Sequence, residues 1–117
     1  MYRFSSDWDL SHLVGCEVVE VSHVQFNLLF RFEPQNAINI CGHWRVVDES
    51  GSLIDEGDFE EQKESYRTHH LLGKKVKCCR VLDPTTLSVE FEDGWALQII
   101  DDSDQYECCH ISPNIYV

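Results

Sequence analysis

Cysteine and histidine are the residue types of this 117-residue chain that could carry the widest chemistry, with six of each. Cys41 and His43 are two positions apart, which would place both side chains on one face of a strand. A thiol beside an imidazole can act as a nucleophile, but it also needs an orienting group and a cleft, and the sequence indicates neither. We therefore predict no catalytic residues and no enzyme. A small Cys–His hydrolase remains a third hypothesis, in which Cys41→Ala would abolish activity without unfolding the protein.

The remaining cysteines and acids do not predict a metal centre or a cofactor. Cys78-Cys79 and Cys108-Cys109 are adjacent pairs without a C-x-x-C spacing, and neighbours on a strand point to opposite faces. We expect one cysteine of each pair to be a small core residue. The acidic run 101–104 lacks the glycine that a calcium-binding EF-hand loop needs at its sixth position. An N-terminus without an apolar signal segment favours a reducing, cytoplasmic location.

The charge of the chain restricts its partners. Twenty-one acids stand against nine Lys and Arg, for a net charge of −12. Nucleic acid and anionic membranes bind proteins through Lys and Arg, so we expect neither as a partner. An acidic field instead attracts cationic proteins and raises their association rates. The composition therefore favours a basic protein as the partner.

Two acidic clusters are the candidate partner-binding residues. Residues 48–64 carry eight acids and one base, and residues 81–117 carry eight acids and no base. Between them, residues 74–80 carry four bases and no acid. We predict a partner-binding role for Asp55, Glu56, Asp58, Glu60, Glu61 and Glu64 in the first cluster and for Asp101, Asp102, Asp104 and Glu107 in the second.

Alternating apolar residues predict two β-hairpins. Leu87, Val89 and Phe91 alternate with polar residues, and a second apolar set follows the Asp93-Gly94 pair. A three-residue loop over 92–94, with Gly94 left-handed in a bulge, keeps the large residues of both strands on one face. In the first half, Leu28, Phe30 and Phe32 should face Ile38 and Ile40 across the polar loop 33–36. That hairpin's second strand is expected to continue as far as Val47.

The hairpins belong to two similar halves of one domain spanning residues 1–117. The L-x-G-x-x-V pattern at 13–18 recurs at 71–76, and the halves cover about 13–50 and 71–112. Between them, Asp58 and Glu61 form a possible capping box that predicts a helix over about 58–72. The predicted fold is mainly β (α+β): an antiparallel sandwich or half-barrel built from two three-stranded meanders, with that one helix between them.

These motifs resemble a bacterial family of small acidic β-rich proteins of unassigned activity. The resemblance covers residues 10–112 and rests on the paired L-x-G-x-x-V units, the acid–Gly hairpin at 93–94 and the acidic stretch ending in Tyr106-Glu107. In size and acidity the chain is also similar to immunity proteins that neutralise toxins in contact-dependent growth inhibition. The first resemblance implies no catalytic residues. The second implies a basic, nuclease-like toxin as the partner.

The leading hypothesis is an immunity protein that occupies the basic surface of a nuclease toxin. Charge would govern the rate of encounter, and apolar anchors such as Trp8 or Tyr66 would slow dissociation. The alternative is a non-catalytic β domain that binds a small apolar ligand. Its cavity would be lined by inward-pointing rings: Phe30, Phe32, Trp44, Phe91 and Trp95.

Overall fold

The computed structural model describes residues 3–24, 27–58, 65–102, 108–112 and 115–116. Ten strands and two short 3-10 turns make up their regular structure. The strands are β1 (Glu17–His23), β2 (Leu28–Glu33), β3 (Asn36–Ile40), β4 (His43–Val47), β5 (Leu53–Gly57), β6 (Val76–Asp83), β7 (Thr86–Phe91), β8 (Ala96–Ile100), β9 (Cys109–Ile111) and β10 (Ile115–Tyr116). The 3-10 turns span Ser11–Leu13 and Thr68–Leu71.

The strands form two five-stranded antiparallel sheets that exchange strands between the halves of the chain. The first sheet has the order β1-β2-β3-β9-β10, and the second has the order β5-β4-β8-β7-β6. Each sheet therefore combines three consecutive strands from one half with two strands from the other. The buried faces of both sheets contribute to one hydrophobic cluster, so neither sheet has a core of its own.

The two L-x-G-x-x-V segments hold the sheets together by bonding to each other. The N–H of Gly15 donates to the carbonyl of Val76, and the N–H of Gly73 donates to the carbonyl of Val18, both at 2.8 Å. Both glycines have φ +84°, a conformation that other residues rarely adopt. The glycine in each repeat thus allows the chain to turn so that the two segments can bond reciprocally.

Both predicted hairpins form in the described residues. Val89 pairs with Leu97, and the N–H of Phe91 donates to the carbonyl of Trp95, so the loop is 92–94. Gly94 has φ +94°, as the bulge requires. The first hairpin sets Leu28 opposite Ile40 and Phe30 opposite Ile38, but its turn is shorter than the predicted loop 33–36, because Glu33 ends β2 and Asn36 begins β3. Burying one face of each hairpin fixes these registers, because a one-residue slip would turn the apolar side chains to water.

Two expectations about continuity were wrong. The strand after the first hairpin does not run on to Val47: it ends at Ile40, and the chain crosses at Cys41-Gly42 into the other sheet. The expected helix over 58–72 is also not found: among the described residues of that range, only the 3-10 turn Thr68–Leu71 is helical. Residues 59–64 of that prediction lie outside the described residues. Leu53–Gly57, directly before the predicted helix, form strand β5. A capping box satisfies only local backbone groups, and a short helix also needs tertiary contacts to be stable.

Candidate functional site

Five of the ten predicted partner-binding acids fall within the described residues: Asp55, Glu56, Asp58, Asp101 and Asp102. The structure separates these five into two buried carboxylates and three that reach the surface. The other predicted acids lie outside the described residues, and they are Glu60, Glu61, Glu64, Asp104 and Glu107.

Asp55 is an internal residue and does not belong to a binding surface, which corrects the prediction. It is 4% exposed and lies opposite Val46, a core residue of β4. Its Oδ2 accepts a hydrogen bond from the backbone N–H of Arg67 at 2.6 Å, and its Oδ1 accepts one from the N–H of Glu56 at 2.9 Å. Alternation along β5 points the Asp55 side chain inward. There its carboxylate links the segment before the second 3-10 turn to β5 through hydrogen bonds.

Asp101 is also internal, and the prediction of a surface role for it is corrected in the same way. Its side chain is fully buried, and its Oδ1 lies 2.9 Å from Nη1 of Arg3. Its backbone N–H donates to the carbonyl of Thr85 at 2.8 Å. A buried carboxylate needs a cation or donors to offset the loss of hydration. Asp101 therefore holds the N-terminal segment against the molecule.

The three remaining acids lie on or next to the two strands that flank β4. Glu56 on β5 is directly opposite Arg45 on β4, and Asp58 follows Gly57, the last residue of β5, which pairs with Trp44. His43 pairs on its other side with Ile100, the residue that ends β8 shortly before Asp102. The Nδ1 of His43 lies 3.2 Å from Oδ2 of Asp102. We call Glu56, Asp58 and Asp102 the acidic face.

The acidic face therefore joins members of both predicted clusters. Glu56 and Asp102 are exposed, and Asp58 is half-buried. His43 is in contact with Asp102, and the Nε of Arg45, two residues along β4, donates to Oε1 of Gln98 at 2.8 Å. The sequence did not indicate His43 and Arg45 as part of this surface. Their period-two spacing on β4 is the signal that could have done so.

Two of the four cations of the basic segment 74–80, Lys74 and Arg80, form ion pairs with acids elsewhere. Lys74 forms an ion pair with Asp93 and also lies over the Trp95 ring, with Nζ 4.4 Å from the ring centroid. Arg80 binds Glu90 through two hydrogen bonds of 2.7 and 2.9 Å. The Arg80 guanidinium lowers the pKa of Glu90. These pairs neutralise part of the basic segment and lie on or next to β6 and β7, away from β4 and β5.

Cys41 and His43 do not share a strand face. The chain crosses between the sheets at Gly42, so Cys41 follows β3 and His43 begins β4. All six cysteines are free thiols. Burial raises the pKa of the Cys79 thiol to about 12, and the Cys108 side chain together with burial raises that of Cys109 well above its usual range. Across the described residues, no group of three Cys, His, Asp or Glu side chains could hold a metal ion.

The aromatic rings considered for an apolar ligand site lie in the core. Phe30, Phe32, Trp44 and Phe91 are all buried members of one cluster, and Trp95 packs against it. An open pocket of about 510 Å³ lies elsewhere, and its lining is formed by Leu72, Gly73, Lys74, Lys75, Glu92 and Asp93. None of the five rings lines this pocket, and four charged residues do. The packing of the described core therefore provides no support for an apolar cavity.

Comparison with known proteins gives a family but no activity. A family model described as a family of unknown function (DUF6188) matches residues 9–108. No curated protein and no solved structure matches the chain. Within the described part of the chain, no helix has the length and apolar character needed to cross a bilayer.

Proposed function

The chain belongs to the DUF6188 family, whose function is unknown, and we propose that it is a non-catalytic binding protein that engages a basic protein through the acidic face. In the specific form of this proposal, the basic protein is a nuclease-like toxin and the chain is its immunity protein. Nucleases must present Lys and Arg to hold phosphates, and an acidic surface competes for those groups.

One observation carries the proposal: acids from distant parts of the sequence lie on the same sheet, on either side of β4. Glu56 lies on β5, Asp58 directly follows β5, and Asp102 follows β8. With three carboxylates against one guanidinium and one imidazole, this surface has an excess of negative charge. Such a surface attracts a cationic partner over distances of about one Debye length, roughly 8–10 Å at physiological salt.

An apolar anchor also lies on the same side of the sheet. Leu53 at the start of β5 is 53% exposed and is opposite Val47 on β4. Trp8 and Tyr66, which we expected to be anchors, instead pack against the core, and the Tyr66 ring stacks on His23 with centroids 4.0 Å apart. We assign the anchoring role to Leu53, because a partner that covers it buries apolar area that stabilises the complex.

Co-expression with the nuclease-like domain encoded nearest to the gene tests the proposal. The wild-type chain should protect growth, and the triple variant Glu56→Gln, Asp58→Asn and Asp102→Asn should lose most of that protection. A matched control changes the same number of charges at exposed acids elsewhere: Asp7→Asn, Glu33→Gln and Glu92→Gln. This control should protect as the wild type does.

Equal protection by the wild type and the acidic-face triple variant would contradict the role of that face. Absence of protection by the wild-type chain against that nuclease-like domain would contradict the immunity assignment. A purified complex with a different basic protein would then still support the broader proposal, provided that the acidic-face variant weakens it and the control does not.

A further inference from the structure

Cys41 and Cys108 are directly opposite each other at the place where the chain crosses between the sheets. The β3–β9 ladder pairs Ile38 with Ile111, Asn39 with His110 and Ile40 with Cys109. The next pair along the ladder is Cys41 with Cys108, and the N–H of Cys41 donates to the carbonyl of Cys108 at 2.7 Å. Residues opposite each other in an antiparallel ladder point to the same side of the sheet.

The spacing of this pair is compatible with a disulfide. The Cys41–Cys108 bond and the bond from Ser112 N–H to the Ala37 carbonyl, at 3.0 Å, belong to the same alternating set of hydrogen-bonded pairs. Such pairs have Cα atoms about 5.5 Å apart, and the commonest Cα separation in disulfides is about 5.5–6 Å. The Cβ atoms would need to approach by roughly 1 Å. Both residues lie just beyond the ends of their strands, where the ladder constrains the backbone least.

The other cysteines are less suited to this reaction. Cys109 begins β9 and is fully buried, and burial raises the pKa of Cys79 to about 12. A thiol held in its protonated form is a poor nucleophile. The Cys108 Sγ donates a hydrogen bond to the carbonyl of Ile100 at 3.5 Å, which it must leave to react. Cys41 is half-buried, whereas Cys108 is almost fully buried, so an oxidant reaches Cys41 first.

We propose that Cys41 and Cys108 form a reversible disulfide when the protein meets a peroxide. The Cys41 thiolate attacks one peroxide oxygen, the O–O bond breaks, and Cys41 becomes a sulfenic acid. The Cys108 thiol then attacks the Cys41 sulfur, the S–S bond forms and water leaves. In sum, two thiols and one hydrogen peroxide give one disulfide and two waters. The strain of drawing the Cβ atoms together makes the disulfide easy to reduce.

The disulfide would link the two places where the chain passes between the sheets. Cys41 precedes the crossing from β3 to β4, and Cys108 precedes β9, which follows the second crossing. Formation of the disulfide does not depend on the acidic face. The experiment that tests it measures only the oxidation state of the cysteines.

Peptide mapping after oxidation tests this inference. The reduced, full-length protein is treated with hydrogen peroxide at low protein concentration, alkylated and digested with trypsin. We expect loss of two of the six thiols and a link between peptides 32–45 and 81–117, which a thiol reductant reverses. Cys41→Ser and Cys108→Ser should each abolish the link. Cys78→Ser, the matched control at another half-buried thiol, and Cys109→Ser should keep it.

Three results would overturn the inference. One is oxidation of Cys41 to sulfinic acid without any link. Another is a reversible loss of two thiols that persists in Cys41→Ser, which is the safer variant for folding because Cys41 is only half-buried. The third is a link in the wild type that is lost in Cys109→Ser while Cys108→Ser keeps it.

Discussion

Asp55 and Glu56 are adjacent acids with opposite roles, and only the strand face on which each lies distinguishes them. Asp55 points into the molecule and accepts two backbone hydrogen bonds, whereas Glu56 is exposed on the acidic face. Counting charges along the sequence treats the two alike, so the two predicted clusters could not be sorted into buried and exposed members. Strand β5 was not predicted, and without it the alternation could not be applied.

Asp55→Asn should destabilise the fold because the amide no longer offers two charged acceptor oxygens to the N–H groups of Arg67 and Glu56. We expect a loss of about 1–3 kcal/mol in the free energy of unfolding. Urea denaturation followed by tryptophan fluorescence measures it. Glu56→Gln, next to it on the outer face, should change the value by less than about 0.5 kcal/mol. Equal effects of the two substitutions would contradict the assigned roles.

Gly57 is required because the Trp44 ring occupies the space into which a side chain at position 57 would point. A Cβ at Gly57 would lie 2.6 Å from Cζ2 of the buried Trp44 ring, so Gly57→Ala forces the indole to move. We expect a loss of about 1–3 kcal/mol. At Gly42 the nearest atom to such a Cβ is 3.7 Å away, an ordinary contact. Gly42→Ala is therefore the control, and thermal unfolding should show a clearly lower midpoint for Gly57→Ala alone.

Hairpins were the elements best predicted from sequence. Leu87, Val89 and Phe91 alternate strictly, and a three-residue loop keeps them on the same face as Leu97 and Ile99 whereas a two-residue loop does not, so local pattern and burial agree. The crossing at Cys41-Gly42 leaves no comparable signal, because period-two alternation looks the same whether a strand continues or passes into another sheet. The helix prediction failed because a capping box is also a local signal, which does not show how the surrounding chain packs.

Turn acids give the fold a dependence on pH. Asp48 Oδ1 accepts hydrogen bonds from the Ser50 hydroxyl and from the N–H of Ser52, and Asp83 accepts them from Thr85. The Ser50 and Thr85 hydroxyl bonds are the main cause that lowers the pKa of Asp48 and of Asp83. A carboxyl whose pKa is lower in the folded state stabilises the fold above its unfolded pKa of about 3.9, and that contribution is lost as the pH falls through the folded pKa.

The double variant Asp48→Asn and Asp83→Asn should therefore be less stable than the wild type at pH 6–7, and the difference should shrink below about pH 4. Urea midpoints measured for both proteins from pH 7 to pH 3 give this difference directly, and the repulsion among the other acids affects both proteins alike. A difference that stays constant or widens on acidification would contradict the assigned hydrogen bonds.

At the scale of the whole molecule, strand exchange explains how distant acids come to share a surface. Strands β4 and β5 leave the first half of the chain to join the sheet of the second half, and this places Glu56 and Asp58 in the same sheet as β8, which Asp102 follows, with β4 between them. The sequence indicated the excess of acid and a repeat between the halves. It did not indicate that the halves exchange strands, and the composition of the acidic face depends on that exchange.

Association kinetics test the acidic face most directly. The rate at which the wild type binds its purified basic partner is compared with the rates of the acidic-face triple variant and the Asp7, Glu33 and Glu92 control, at low and at physiological salt. We predict a rate roughly tenfold lower for the acidic-face variant at low salt. That difference should narrow as salt is added, and the control should stay close to the wild type. Equal slowing in both variants would mean that net charge, and not this face, attracts the partner, and would contradict the account.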